Sequence, residues 1–319
     1  MTPTHDPTYD AVVVGGGPAG LAAATWVARY RRTVALLDGG EPRNRWVDLA
    51  HGYLGDDPVN PATLAERARE QLLRYPEAEH CVGEASEVGR DRDGLFQVVT
   101  EGGGPVLRAR RLVLATGVRD RFPEVDRFFE HYGASVFHCP TCDGYEAREA
   151  DVVVFGWSED VTGFALTLLG WARSVTVVTD GRTFEGDAGC RRRLADAGVA
   201  VLEDDATELL GPRGGLEGVT LRDAGVLPCG MAFFSIAHEP RTRLAEQLGC
   251  RLTDEGCIDV DHDAATSVPG VYAAGDVTPG LQLVQVAAAK GATAGVSCAQ
   301  SLRGEGGMPA SWHGRVVLG

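Results

Sequence analysis

Gly15, Gly17 and Gly20 stand between two apolar stretches, Tyr9 to Val14 and Leu21 to Tyr30, and this arrangement limits the possible folds more than anything else in the chain. The first stretch has the length and β-branched content of a buried strand, and the second reads as an apolar helix. Thr33 to Leu37 supplies another buried strand, which ends at Asp38. In such a β–turn–α–β unit each glycine has its own task. The first permits the tight turn, the second lets a phosphate approach the backbone, and the third lets the helix pack on the strand. The amides that open the helix, around Pro18 and Ala19, then face the phosphates. Asp38 falls roughly 20 residues beyond the glycines, where a carboxylate accepts hydrogen bonds from a ribose. A glycine triplet alone says little, but strand, turn, helix, second strand and terminal acid in this order specify a dinucleotide site.

The same grammar returns later in the chain. After Asp151 come a strand at Val152 to Phe155, a turn, a helix at Val161 to Trp171 and a strand at Val175 to Thr179. Between the two units, Asn60-Pro61 has the look of a helix start leading into Ala62 to Arg74. Short strands around Cys81 to Val88 and at Phe96 to Thr100 bracket an Asp93-Gly94 turn. Arg111 to Ala115 returns to the sheet, Val118 to Tyr132 crosses over, and a last helix runs from about Val284 to Leu302. A chain of 319 residues suits two domains on a prior of roughly 150 residues each. The expected architecture is α/β, with two Rossmann-like three-layer domains, the second inserted into the first. Residues 1–117 and 245–319 form the outer domain and 118–244 the inserted one.

Charge narrows the partners. The formal net charge is −15, with no concentration of Lys and Arg, which disfavours nucleic acid and anionic lipid. Met1 to Tyr9 is polar and lacks the apolar run of a signal peptide, and no apolar stretch is long enough to span a bilayer. A cytoplasmic location is expected, with no membrane or nucleic-acid partner.

Of eight cysteines, six are scattered and read as small buried apolar side chains. Cys139 and Cys142 form the one spaced pair, Cys-Pro-Thr-Cys, followed by Asp143-Gly144. In the first turn of a helix, residues three apart share a face, so both sulfurs can reach one reactive centre and each other. Pro140 suits that start, and a helix N-terminus stabilises the thiolate that performs exchange. Half a zinc site and two structural cysteines are the competing readings. Zinc requires further ligands that no second Cys or His pair supplies, so no metal is expected. His138 either assists proton transfer or only packs. Asp143, next to the second sulfur, serves either as acid or base or as a helix cap.

Taken together, Gly15-Gly16-Gly17-Pro18-Ala19-Gly20, Ala115-Thr116-Gly117, Cys139 to Gly144 and Thr266 to Asp276 resemble the low-molecular-weight thioredoxin reductase family over essentially the whole chain. The resemblance implies FAD in the outer domain, with Gly275 and Asp276 near the ribityl and phosphate groups and Leu283 and Val284 contacting the flavin through their backbone. It implies a homodimer, with Cys142 nearer the flavin and Cys139 facing the substrate sulfur. Arg43, Asn44 and the following His51-Gly52-Tyr53-Leu54 depart from ordinary reductases and are similar to the loop of FAD-dependent dithiol oxidases that close disulfides in natural products.

In that family the inserted domain holds NADPH with a second glycine-rich turn and an arginine-rich segment. Here the turn is Gly156-Trp157-Ser158-Glu159-Asp160, and Asp180 and Arg182 stand where consecutive arginines belong. A tryptophan and two acids oppose a pyrophosphate, and Asp180 repels a 2′-phosphate. These departures argue against NAD(P)H. The resulting expectation is a dithiol oxidase acting on a small molecule, with O2 as acceptor and H2O2 as product. The alternatives are a disulfide reductase fed by NAD(P)H or ferredoxin, and a flavin-bound redox sensor.

Overall fold

A computed structural model describes residues 8–303, so residues 1–7, on which the signal-peptide reading rests, lie outside the described part. The chain opens with β1 (Thr8–Val14), α1 (Pro18–Arg29), β2 (Val34–Asp38), α2 (Pro61–Leu72), β3 (Ala78–Val82), β4 (Ala85–Arg90), β5 (Phe96–Thr100) and β6 (Val106–Leu114). It continues through β7 (Val118–Arg121), α3 (Phe128–His131), β8 (Val136–Phe137), α4 (Pro140–Asp143), β9 (Asp151–Phe155), α5 (Val161–Leu168), β10 (Ser174–Val178), α6 (Ala188–Asp196) and β11 (Ala200–Leu202). The remainder comprises β12 (Ala206–Leu210), β13 (Gly218–Leu221), β14 (Gly225–Pro228), β15 (Met231–Phe234), β16 (Ala237–Pro240), α7 (Arg243–Gln247), β17 (Val271–Ala273) and α8 (Val284–Ser301). No helix among the described residues is long and apolar enough to cross a membrane.

Two compact units result. Among the described residues the first comprises 8–43, 62–119 and 239–303, and the second 44–61 and 120–238. The stretch 44–61, which continues the sequence directly from the first unit, thus packs within the second.

In the first unit β3, β2, β1 and β6 lie side by side and parallel. On the edge away from β1, strand β6 serves two partners: its start pairs antiparallel with β5, and its end pairs parallel with β17. Alternate residues of β1 face opposite cores. Val12 and Val14 join Ala35, Leu37 and Leu112 on one side, while Ala11 and Val13 join Val34, Leu36 and the apolar face of α1 on the other. A strand buried on both faces must be apolar throughout, which is why Ala11 to Val14, beyond the partly exposed Asp10 at the edge, reads as an unbroken run. The expected strand at Cys81 to Val88 is two strands, because Gly83 sits at φ 153° and breaks the ladder between β3 and β4.

The second unit repeats the plan in smaller form. Strands β11, β10, β9, β15 and β8 make a parallel sheet, again with alternate residues of β9 in two cores. A three-stranded antiparallel meander, β12 to β14, follows. The crossover expected at Val118 to Tyr132 contains β7 and the short α3.

Within this unit the 44–61 segment is fastened by the packing of Trp46 on Phe129, by the Asp48 N–H bond to the Gly133 carbonyl, and by one arginine. Arg213 donates to both carboxylate oxygens of Asp48, at 2.7 and 3.2 Å, and to the Glu130 carbonyl at 2.8 Å. Gly133, at φ 79°, lets the Trp46 carbonyl pass where a Cβ would collide with it. Beyond that anchor the segment closes on itself through paired backbone bonds between Ala50 and Val59. We expect Arg213→Ala to cost about 1 kcal/mol, the scale of a well-formed surface ion pair. Limited proteolysis should show faster cutting within 44–61; unchanged cutting would mean the segment is held by other contacts.

Candidate functional site

The nucleotide turn in the first unit is built by backbone crowding. A Cβ on Gly15 would overlap the Ala115 carbonyl, and Gly15 also sits at φ 112°. One on Gly20 would overlap the Gly15 carbonyl, and one on Gly16 would strike the Asp38 carboxyl. Gly17 differs, because a Cβ there would meet nothing within 4 Å. Packing therefore does not require glycine at 17; an open approach to the backbone does, and this is the position assigned to a phosphate. Gly17 is the N-cap of α1, Pro18 follows, and neither a capping side chain nor an acidic residue occupies the first turn. The N–H groups of that turn are thus presented to an anion.

Asp38 ends β2 and is buried. Its carboxylate accepts from the Gly40 N–H at 2.8 Å, with His80 Nε2 at 3.3 Å and Arg69 at 3.5 Å. A cleft of about 610 Å³ opens beside it, lined among others by Gly15, Leu37, Gly39, Gly83, Glu84 and Thr116. Gly117 lies at φ 67°, and the Thr116 hydroxyl donates to the Arg241 carbonyl at 2.7 Å, fixing the floor of that cleft.

The far end of the same site is assembled by α1 and α8. Gly291 and Gly295 bring α8 against the backbone of Ala19 and Ala23, where any side chain would collide. Leu283 and Val284, which open α8, are thereby held in the same unit as Gly275, whose own Cβ would press on Ala19. Arg43 pairs with Asp276 at 3.1 Å and donates to the Gln282 amide oxygen at 2.6 Å. Lys290 donates to the Pro279 carbonyl at 2.8 Å and lies 3.3 to 3.4 Å from those of Thr278 and Gly275. Burial lowers its pKa, so the ammonium depends on these carbonyls. The sequence alone did not mark Gly16, Arg69, His80 or Lys290. Of these only Gly16 carried a signal, as the unexplained glycine inside the triplet. Asn44 falls in the other unit.

These residues fit FAD. The cradle at Gly15 to Gly20 would hold the pyrophosphate, Asp38 the ribose, and the Arg43–Asp276 pair with Gly275 the inner half of the molecule.

The cysteines sit in the second unit. Cys139 precedes the one-turn α4, and Cys139 and Cys142 are joined in a disulfide, with their Cα atoms 5.2 Å apart. The Cys142 N–H points at Cys139 Sγ at 3.1 Å, which stabilises negative charge on that sulfur once the bond opens. Both cysteines are partly exposed. His138 Nδ1 is 3.0 Å from the Tyr132 hydroxyl, and its ring packs near Phe234. Asp143 is buried, 6% exposed. Burial, reinforced by the charge of Glu146, lifts its pKa to about 7. The carboxyl is therefore neutral below that value, and ionising it costs the fold stability as pH rises through it.

The second unit also has a cleft, of about 810 Å³, at the ends of β9 and β10. Trp157, Asp180 and Arg182 line it together with Glu124, Asp126 and Asp205. The Arg182 guanidinium lies over the Trp157 ring, 3.9 Å from its centroid. Asp205 is engaged by Arg222 through two hydrogen bonds. Burial first, then the Asp205 charge, raise the pKa of Asp180. Gly156 serves packing, since a Cβ there would press on the Ser235 carbonyl and on Val161.

Residues 9–291 match the family model for pyridine nucleotide-disulphide oxidoreductases. The chain is 32% identical over 308 residues to thioredoxin reductase sirT of Leptosphaeria maculans, covering 90% of this chain and 92% of that one. Among solved structures, HlmI superposes with a TM-score of 0.87 at 35% identity, over 94% of both chains. A thioredoxin reductase from Bacillus anthracis, TrxB, gives 0.85 at 28% identity over 92% of this chain and 98% of that one. A matched family model over most of the length, a nucleotide cradle shaped for FAD and a cysteine pair closed as a disulfide agree: the chain belongs to the pyridine nucleotide-disulphide oxidoreductases, as a thioredoxin reductase-like flavoenzyme that holds FAD.

Proposed function

We propose that this flavoenzyme is a dithiol oxidase, closing a disulfide in a small molecule by the net reaction dithiol plus O2 to disulfide plus H2O2. The observation that carries the reading is the state of the second cleft. Where a nicotinamide nucleotide needs open backbone and positive charge, this chain has Trp157 capped by Arg182 and lined with carboxylates. Glu159 and Asp160 stand at the start of α5, where the helix dipole would otherwise favour a phosphate. With that entry disfavoured, electrons are best supplied by the thiol substrate itself.

In this reading a substrate thiolate attacks Cys139, Cys142 leaves as a thiolate, and the second substrate thiol displaces Cys139 to complete the product disulfide. The Cys142 N–H supports the Cys139 sulfur as it departs. FAD, when bound, supplies the two-electron acceptor that returns the pair to the disulfide. Asp143 follows Cys142 directly and is the group placed to exchange its proton. His138, held by Tyr132, orients the approach to Cys139. A homodimer is the expected assembly and the cytoplasm the expected location.

The cleft is still large enough for a nucleotide, which keeps a reductase driven by NAD(P)H as the second reading. The two separate in an anaerobic titration of the flavin band with dithiothreitol, NADH and NADPH. Bleaching by the dithiol alone, reversed by air with formation of peroxide, is the expected result. Rapid bleaching by either nicotinamide nucleotide would overturn the oxidase reading.

A further inference from the structure

We propose that Glu146 and His51 are a positioning pair that sets the protonation of Asp143 and connects it to water. The pair deepens the oxidase reading, on which it relies only for the direction of proton flow. Glu146 lies three residues beyond Asp143, just past α4, and its Oε2 is buried and without a hydrogen-bond partner among the described residues. Its Oε1 lies 3.6 Å from His51 Nε2. The other ring nitrogen of His51 lies 3.4 Å from Asp57, whose carboxylate is half exposed. An imidazole with one edge on a partly buried acid and the other on an exposed one can pass a proton between them.

His51 reaches this position because the 44–61 segment is closed by the Ala50–Val59 bonds and anchored by Arg213. The charged groups around the pair come from two sources: His51 and Asp57 on that segment, and Asp143 and Glu146 around the cysteine turn. Helix α5, which packs against α4, carries no ionisable side chain over Val161–Leu168, and Trp171 just beyond it covers Gly144. Burial dominates the raised pKa of Asp143 and Glu146 adds to it, so the pair acts on a carboxyl already poised near neutrality.

When the Cys139–Cys142 bond breaks, Cys142 leaves as a thiolate and takes the proton of the Asp143 carboxyl. That leaves a buried carboxylate beside the charge of the partly exposed Glu146, which is unfavourable. A proton from water, carried by His51 past Glu146, restores the neutral acid. The reverse transfer occurs when Cys142 is oxidised again, so no net proton is made or lost at the pair.

The test uses the FAD-loaded full chain with dithiothreitol, following anaerobic reduction against pH, alongside the pH dependence of iodoacetamide alkylation of the reduced cysteines. Wild type should show an inflection near the Asp143 value of about 7 in both. Glu146→Gln removes the like charge and should move that inflection down by about half a pH unit or more. His51→Gln should slow reduction by about tenfold, while Glu146→Asp, which keeps the charge, should return the wild-type profile. Asp143→Asn should remove the inflection. Wild-type profiles for both Glu146→Gln and His51→Gln would overturn the proposal. If dithiothreitol fails to reduce wild type, the oxidase reading falls, while the alkylation profiles still decide the role of the pair.

Discussion

Gly20→Ala is expected to leave a protein that folds poorly and releases its flavin. The added methyl would stand on the Gly15 carbonyl oxygen, a backbone atom that cannot turn aside as a flexible side chain would. Gly15 is itself pinned, because its own missing Cβ is what allows contact with the Ala115 carbonyl. Relief therefore requires α1 to lift from β1, and α1 is locked on its other side against Gly291 and Gly295 of α8. Overpacking of this kind costs typically 1–3 kcal/mol, and with backbone on both sides about 3 kcal/mol is the fair expectation. That corresponds to a fall in melting temperature of roughly 6–12 °C. Thermal unfolding and the flavin content after gel filtration would measure it. Gly17→Ala is the matched control, since its methyl enters open space. It should leave stability nearly unchanged and weaken only FAD retention. Equal destabilisation by both would refute the division of labour among the glycines.

The reason this much was legible in the sequence is that a parallel strand buried on both faces and a phosphate turn leave strong local marks. β1, α1, β2 and α8 fall within a few residues of where apolar runs and glycines place them. The cysteine turn was equally readable, because Cys-Pro-Thr-Cys encodes its own N-cap and first helical position. What stayed hidden depends on contacts distant in sequence. The meander β12 to β14 has short strands of mixed polarity whose pairing only the tertiary fold selects. The membership of 44–61 in the second unit rests on contacts distant in the chain, to Phe129, Gly133 and Arg213. His80 and Arg69 beside Asp38, Lys290 beneath the Gly275 loop and His51 beside Glu146 are ordinary residues in sequence. Their positions come from the packing of separate segments, which no local pattern records.

Cys142→Ser should abolish dithiol oxidation, with turnover lowered at least about a thousandfold, because a lone Cys139 cannot form the intramolecular disulfide that receives the electron pair. A serine here is nearly isosteric, and the backbone hydrogen bonds of α4 are unaffected, so the variant should fold and retain its flavin. The two cysteines should then differ in behaviour. In Cys142→Ser the remaining Cys139 keeps the N–H of residue 142 aimed at its sulfur, which favours the thiolate and hence attack on an added disulfide. Oxidised dithiothreitol or an aromatic disulfide should leave a stable mixed disulfide on Cys139, detectable by mass spectrometry. Cys139→Ser removes that acceptor and leaves Cys142 without an equivalent donor among the described contacts, so its adduct should form more slowly. Faster labelling of Cys142 would reverse the assigned roles and make it the residue that meets substrate. Retained turnover in either variant would exclude the cysteine pair from the reaction altogether.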